Sequence, residues 1–210
     1  IMKEWDFNSG YICPADVLEA LNSCEDGTDI DVHINSNGGD VQAGLAIANM
    51  LNQYKKGTVT CYVDGWAASI ASVIALNCNK LVMPENTFLM IHYPMCVLSG
   101  NIRDLEKGLN DLEKITDSMI DEYKSHSFKD RDEIIEMLEN ETWLSAKDCE
   151  ETFKNVEIIA REDLQAVAKI SDKFGNVPAT ITNMLKAKKG KETADKEKYI
   201  NDSILSSICV

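Results

Sequence analysis

The sequence predicts an α/β fold built on a parallel sheet, and three observations support this prediction. Short segments rich in β-branched and aromatic residues alternate with segments whose apolar residues recur at helical spacing. Turn-forming residues lie between the two kinds of segment. The resulting order of strand, helix, strand, helix and strand is typical of βαβ units with right-handed crossovers.

The first strand and the first helix are predicted on either side of a glycine pair. Residues 30–35, IDVHIN, alternate apolar and polar side chains, as a half-buried strand does. Gly38 and Gly39 follow and predict a turn. From Asp40, a suitable N-cap, apolar residues recur at helical spacing as far as Leu51.

The second strand is predicted in TVTCYV, residues 58–63, because the segment is rich in β-branched and aromatic residues. Asp64 and Gly65 are expected to turn the chain into WAASIASVIAL, residues 66–76. That segment is apolar all round, which indicates a buried helix. Two short strands are then predicted, KLVM at 80–83 and FLMI at 88–91.

Residues 103–124 form a long amphipathic pattern that predicts a helix with an apolar stripe. From the pattern alone, the helix packs on its own domain or projects toward another subunit, with a slight preference for the first. A further helix is predicted near 131–139, a Ser145-capped helix begins at Ala146, and 157–159 is a candidate strand. The apolar stripe comprises Leu105, Leu109, Leu112, Ile115, Met119 and Tyr123.

Composition narrows the class of protein. A net charge of −14 argues against a dedicated nucleic-acid binder, which needs a basic face. No apolar run reaches transmembrane length, and the opening residues 1–11 lack the features of a signal peptide. Seven scattered cysteines without a C-x-x-C pair suit a reducing cytoplasm and predict no zinc site. Residues 1–172 are predicted as the folded domain and 173–210 as a charged C-terminal extension.

Ser69 and His92 are the candidates for nucleophilic chemistry. Ser69 is expected at a helix start directly after a strand, between small alanines, and His92 at the end of a strand. Gly38 and Gly39 could present backbone N–H groups to an anion. Each residue also has an ordinary structural explanation, as a small packing serine, a satisfied histidine or a common turn.

Four motifs occur in order along the chain: INSNGGDVQAGLAI at 34–47, DGWAASIASVIAL at 64–76, MPENTFLMIHYP at 83–94 and ETWLSA at 141–146. Together they resemble the motifs of the Clp protease proteolytic subunit family, and the similarity runs over roughly residues 30–160. The forms GGDV, MPEN and ETW are more similar to the phage and prophage prohead-protease branch than to the housekeeping bacterial enzyme.

The resemblance implies a role for each matching residue. Ser69 would be the nucleophile and His92 the general base and acid, and the backbone N–H groups of Gly39 and Ile70 would form the oxyanion hole. Glu141 matches the family's catalytic Asp in position, and its side chain is one methylene longer. Asn37 stands where the family usually has Pro, which is expected to loosen the glycine turn.

By the same resemblance, the fold would be crotonase-like, with βαβ superhelical repeats and a projecting handle helix at 103–124 that interlocks rings. The implied protein is an ATP-independent serine endopeptidase that needs no metal or organic cofactor. It would act on polypeptides as a homo-oligomeric ring, plausibly two stacked heptamers. It would process phage scaffold or capsid proteins in the host cytoplasm or within proheads, without nucleic-acid or membrane partners.

Three alternatives stay open at this point. The chain could be a degradative Clp-type subunit fed by an ATPase, or an inactive ring-forming scaffold. It could also be a crotonase-like protein that binds an acyl thioester. The combination of Ser69, His92 and Glu141 argues against the scaffold, and a crotonase hydratase does not need Ser and His at the protease positions.

Overall fold

In the computed structural model, which describes residues 12–160, six strands form one mixed sheet, and apolar side chains of the strands and helices form the core. The strands are β1 (Ile30–Ser36), β2 (Val59–Ala68), β3 (Lys80–Pro84), β4 (Phe88–Ile91), β5 (Thr142–Ser145) and β6 (Val156–Ile159). The helices are α1 (Pro14–Ser23), α2 (Val41–Gln53), α3 (Ile70–Leu76), α4 (Ile102–His126), α5 (Arg131–Glu139) and α6 (Ala146–Thr152).

The sheet has the order β5-β4-β2-β3-β6, and β1 also pairs with β2. All pairings are parallel except that of β4 with β5. The predicted α/β class is therefore confirmed, and β1 to β4, from which the parallel sheet was predicted, pair in parallel. After α5 the chain turns at Asn140 and Glu141 and runs back along β4, so β5 is an antiparallel edge strand.

The predicted turn at Asp64 and Gly65 is wrong, because β2 continues through both residues to Ala68. The register between β1 and β2 shifts there, so the extra residues are accommodated as a bulge. Residues 66–68 then pair with 88–90 of β4. This pairing satisfies their backbone groups in the sheet, so the buried helix begins only at Ile70 rather than at Trp66.

The long helix α4 has 25 residues, so it spans about 37 Å at 1.5 Å per residue. Its C-terminal end packs into the core, where Met119 is 3% exposed and Tyr123 is 0% exposed. Leu109, further toward the N-terminus, is 54% exposed. The predicted stripe is therefore divided: Met119 belongs to the core of its own domain, while Leu105, Leu109 and Ile115 stay exposed.

The other local predictions are confirmed. The Asp40 side chain caps α2 by accepting from Ala43 N at 2.8 Å, and Ser145 with Asp148 forms a capping box on α6. The predicted strand at 157–159 is present within β6. The opening residues 1–11 and the extension 173–210 lie outside the described residues, as does the proposed boundary at 172. Among residues 12–160, none of the helices is long and apolar enough to cross a membrane.

Candidate active site

Ser69 occupies the junction between β2 and α3, in a backbone conformation that side chains rarely adopt. It is the N-cap of α3, with φ 55° and ψ −131°. A non-glycine residue with positive φ is strained, and such strain persists only where surrounding contacts hold it. One of these contacts is the hydrogen bond from Ser69 N to Met90 O, at 2.8 Å, which ties the junction to β4.

His92 lies beside Ser69, with 2.7 Å between His92 Nε2 and Ser69 Oγ. The two meet because β2 and β4 are parallel and Ala68 is paired with Met90, so both side chains follow the same end of the sheet. Both are half-buried and therefore open to a ligand. The separation lets Nε2 take the hydroxyl proton, as a general base must.

The other two histidines have partners of their own. His33 Nδ1 is 2.9 Å from Asp64 Oδ1, and this hydrogen bond raises the pKa of His33. His126 Nε2 is 3.3 Å from Glu122 Oε1. Since His92 is the histidine in contact with Ser69, it is the base candidate of the described chain.

The glycine turn lies directly against Ser69. Gly38 has φ +91°, and a Cβ added there would be 2.6 Å from Ser69 Cβ and 2.8 Å from Ala68 O. Only glycine fits this contact. The neighbouring Gly39 N–H and the Ile70 N–H donate to no acceptor within residues 12–160. They are thus available to an anion at Ser69, although their role in an oxyanion hole stays a prediction.

Asn37, which stands where the family usually has proline, connects the glycine turn to β2 through a hydrogen bond. Its Oδ1 accepts a hydrogen bond from the indole Nε1 of Trp66, at 2.9 Å. Trp66 also makes an edge contact with Trp143, with ring centroids 6.0 Å apart. A side-chain hydrogen bond therefore ties the glycine turn to β2, the strand that leads to Ser69.

Glu141 is placed next to His92 but does not contact it through a hydrogen bond. The pairing of Ile91 with Thr142 puts residues 92 and 141 at adjacent positions on antiparallel β4 and β5. Glu141 has φ 47° and an exposed side chain. Within the described chain, neither Glu141 nor any other carboxylate forms a hydrogen bond or ion pair with His92. The orienting role of Glu141 stays a prediction.

We expect Glu141→Gln to lower turnover at least about tenfold with little change in stability, because an amide cannot supply the negative charge that supports a histidinium. Peptide cleavage and thermal unfolding measure the two effects. Glu139 is the alternative acid, because its exposed carboxylate lies at the end of α5, just before the turn at Glu141. Glu139→Gln should therefore leave turnover unchanged if Glu141 is the orienting residue. Asp148 is a poorer candidate for the orienting acid, because its carboxylate already accepts a hydrogen bond from Ser145 Oγ at 2.6 Å. A wild-type rate for Glu141→Gln would remove Glu141 from the site.

Comparison with known proteins identifies the family. A family model described as Clp protease matches residues 12–153, which is most of the described chain. The chain belongs to the Clp protease family. The helices and the mixed sheet fit the fold of that family, as the sequence predicted.

Several curated members of the Clp protease family named ATP-dependent Clp protease proteolytic subunit are similar to this chain. The protein from Bacteroides thetaiotaomicron is 30% identical over 134 residues, which is 62% of this chain and 60% of that protein. The protein from Deinococcus radiodurans is 30% identical over 135 residues, covering 63% and 65%. The protein from Bdellovibrio bacteriovorus is 33% identical over 127 residues, covering 58% and 59%. The matched part of the chain thus spans about three fifths of each relative's length.

Two features of the site were not predicted from the sequence. Ser72 and Tyr123 contact the backbone of Ser69 from α3 and α4, and Trp66 tethers the glycine turn. Tyr123 was predicted only as part of the apolar stripe, because nothing in the sequence links it to a serine 51 positions away. Within residues 12–160, no group of three or more His, Cys, Asp or Glu side chains could hold a metal ion.

Proposed function

We propose that this chain is a serine endopeptidase in which Ser69 is the nucleophile and His92 the general base and acid. The observation that carries the proposal is the 2.7 Å separation between Ser69 Oγ and His92 Nε2 in a chain of the Clp protease family. A serine hydroxyl is a weak nucleophile until a base within hydrogen-bond reach accepts its proton.

The steps follow from this geometry. Ser69 Oγ attacks the carbonyl carbon of a peptide bond while its proton passes to His92 Nε2. The Gly39 and Ile70 N–H groups donate to the oxygen that becomes negative. The C–N bond breaks as His92 returns the proton to the leaving amine, which leaves an acyl ester on Ser69. A water molecule then attacks the ester carbonyl while its proton passes to His92. The ester C–O bond breaks as His92 gives that proton to Ser69 Oγ, which releases the acid product and restores Ser69.

A polypeptide is the substrate class that the surroundings of His92 favour. The segment from Tyr93 to Leu98 belongs to no helix and no sheet, and two of its apolar side chains, Met95 and Val97, are 80% and 98% exposed. Such a segment has backbone groups available for pairing with an extended chain, as in strand addition.

The finer proposal is that the chain processes phage head proteins, such as scaffold or capsid, without an ATPase. The forms GGDV, MPEN and ETW support it. The second candidate is a degradative subunit fed by an ATPase, which the names of the similar proteins favour. Both use the same Ser69 chemistry and differ in how substrate is delivered.

Cleavage of casein by the purified full chain, without nucleotide or any partner protein, tests the function and separates the two candidates. The ATP-independent endopeptidase should cleave casein and also an unfolded phage scaffold protein. Cleavage of short peptides alone would favour the ATPase-fed subunit. Failure to cleave any polypeptide or peptide would contradict the peptidase assignment.

The exposed part of the α4 stripe supports a homo-oligomeric ring, for which the family resemblance implies two stacked heptamers. Leu105, Leu109 and Ile115 are 37%, 54% and 39% exposed on a helix about 37 Å long. Burying such side chains against another subunit is favourable by roughly 1.5 to 3 kcal/mol for each one fully buried. The ring would enclose Ser69 in a chamber that only unfolded or threaded chains can enter.

We expect the double variant Leu109→Glu and Ile115→Glu to split the assembly and lower casein cleavage, while each domain stays folded. The reason is that burying four or more charges at paired helices is unfavourable. Light scattering measures the mass, and circular dichroism measures the fold. Lys107→Glu, on the polar face of the same helix, is the control and should leave the mass unchanged. A wild-type species of 23.4 kDa that stays monomeric and active would contradict the ring.

A further inference from the structure

The carbonyl group of Ser69 is held by a buried cluster that the peptidase steps do not use. Ser69 O accepts from Ser72 N at 2.9 Å and from Ser72 Oγ at 2.6 Å. The hydroxyl of Tyr123 lies 2.8 Å from Ser72 Oγ and 3.4 Å from Ser69 O. Two hydroxyl groups from two helices thus converge on the carbonyl of Ser69, a residue whose φ is strained.

The direction of these hydrogen bonds follows from counting protons. A hydroxyl has one proton to donate. Since Ser72 donates its proton to Ser69 O, the shorter contact of Tyr123 is a donation to Ser72 Oγ. The cluster is therefore a relay from Tyr123 through Ser72 to Ser69 O, in which each hydrogen bond polarises the next.

Tyr123 is well placed to keep this relay rigid. Its side chain is 0% exposed, so water does not compete for the hydroxyl. Burial also raises its pKa, so the hydroxyl keeps its proton and stays a donor. Met119 and Ile120 are buried on the same turns of α4, which anchors this end of the helix against α3.

We propose that Tyr123 is a positioning residue which, acting through Ser72, holds the Ser69 peptide in the strained conformation that points Oγ at His92. The proposal rests on the proposed function and adds a residue to it. It also makes α4 a direct support of the nucleophile: the helix that carries the exposed stripe ends in the contact that positions Ser69. A shift of this end of α4 would change the Ser69 geometry without touching the substrate.

The test is Tyr123→Phe, which keeps the ring and removes only the hydroxyl. We expect kcat to fall about tenfold, as the loss of one net hydrogen bond allows, with KM unchanged. The rate at which a fluorophosphonate acylates Ser69 should fall by a similar factor. Ser72→Ala should have the same effect, and the double variant should be no slower than the slower single variant, because both break one relay.

Tyr54→Phe is the matched control. Tyr54 is also buried, and its hydroxyl donates to Thr28 O at 2.8 Å, far along the sheet from Ser69. If Tyr123 has only a structural role, Tyr123→Phe and Tyr54→Phe should both lose stability, and neither should change kcat or the acylation rate. That result, or strictly additive effects of Tyr123→Phe and Ser72→Ala, overturns the proposal. If the wild-type chain neither cleaves nor reacts at Ser69, the proposed function fails and this proposal fails with it.

Discussion

Replacing Ser69 with alanine should abolish peptide cleavage, with a loss of turnover on the order of 10⁴-fold or more. The substitution removes Oγ, the atom 2.7 Å from His92 Nε2, and leaves no hydroxyl in its place. Alanine keeps the Cβ, so it meets the same backbone strain as serine at φ 55°. The fold should therefore survive, and the loss should appear in kcat alone.

The measurement is the steady-state cleavage of a fluorogenic peptide and of casein by the wild-type and variant chains. Ser99→Ala is the control, because Ser99 is an exposed serine in the loop before α4. It should cleave at the wild-type rate. Retained cleavage by Ser69→Ala, with an unfolding midpoint like that of wild type, would mean that another residue is the nucleophile.

Gly38→Ala should be nearly as damaging to activity, although it removes no reactive group. The new Cβ would be 2.6 Å from Ser69 Cβ, 2.8 Å from Ala68 O and 3.2 Å from Ser69 Oγ. Two of these atoms belong to the nucleophile and one to the backbone, so neither neighbour can move aside cheaply. We expect turnover to fall at least about 100-fold, since a displacement near 1 Å at reacting groups has that effect.

Gly27→Ala is the control that separates the clash with Ser69 from the strain of a side chain at positive φ. Gly27 has φ +86°, close to the +91° of Gly38, but a Cβ there would meet nothing within 4 Å. Both variants should lose about 1 to 2 kcal/mol of stability from the left-handed backbone. Only Gly38→Ala should lose activity, as measured by peptide cleavage beside thermal unfolding. Equal activity in the two variants would show that Gly38 does not confine Ser69.

Local signals predicted much of this fold, because the interactions behind them span a few residues. Asp40 caps the next helix within three positions, and the strand at 88–91 is bounded by its own turn. The predicted turn at Asp64 and Gly65 failed because β1 and β4 pair with residues on both sides of it. Turn propensity is a local preference, and sheet pairing with two strands overrides it.

The site was predicted by resemblance rather than by spacing. Ser69 and His92 are 23 positions apart, and only the register of β2 with β4 brings them together. The relay through Ser72 and Tyr123 could not be predicted, because helix α4 reaches Ser69 only in the folded chain. Glu141 is intermediate: the resemblance predicted a carboxylate beside His92, but within residues 12–160 the Glu141 side chain forms no hydrogen bond with His92.

The most direct measurement of the central claim is the location of the adduct that a fluorophosphonate forms with the full wild-type chain. A fluorophosphonate reacts with a serine whose hydroxyl an adjacent base has activated. After digestion, mass spectrometry should find one modified residue, Ser69, and none on Ser99 or Ser145. His92→Ala should suppress the reaction, because it removes the base at 2.7 Å. A wild-type chain that cleaves peptides while Ser69 stays unmodified would contradict the account.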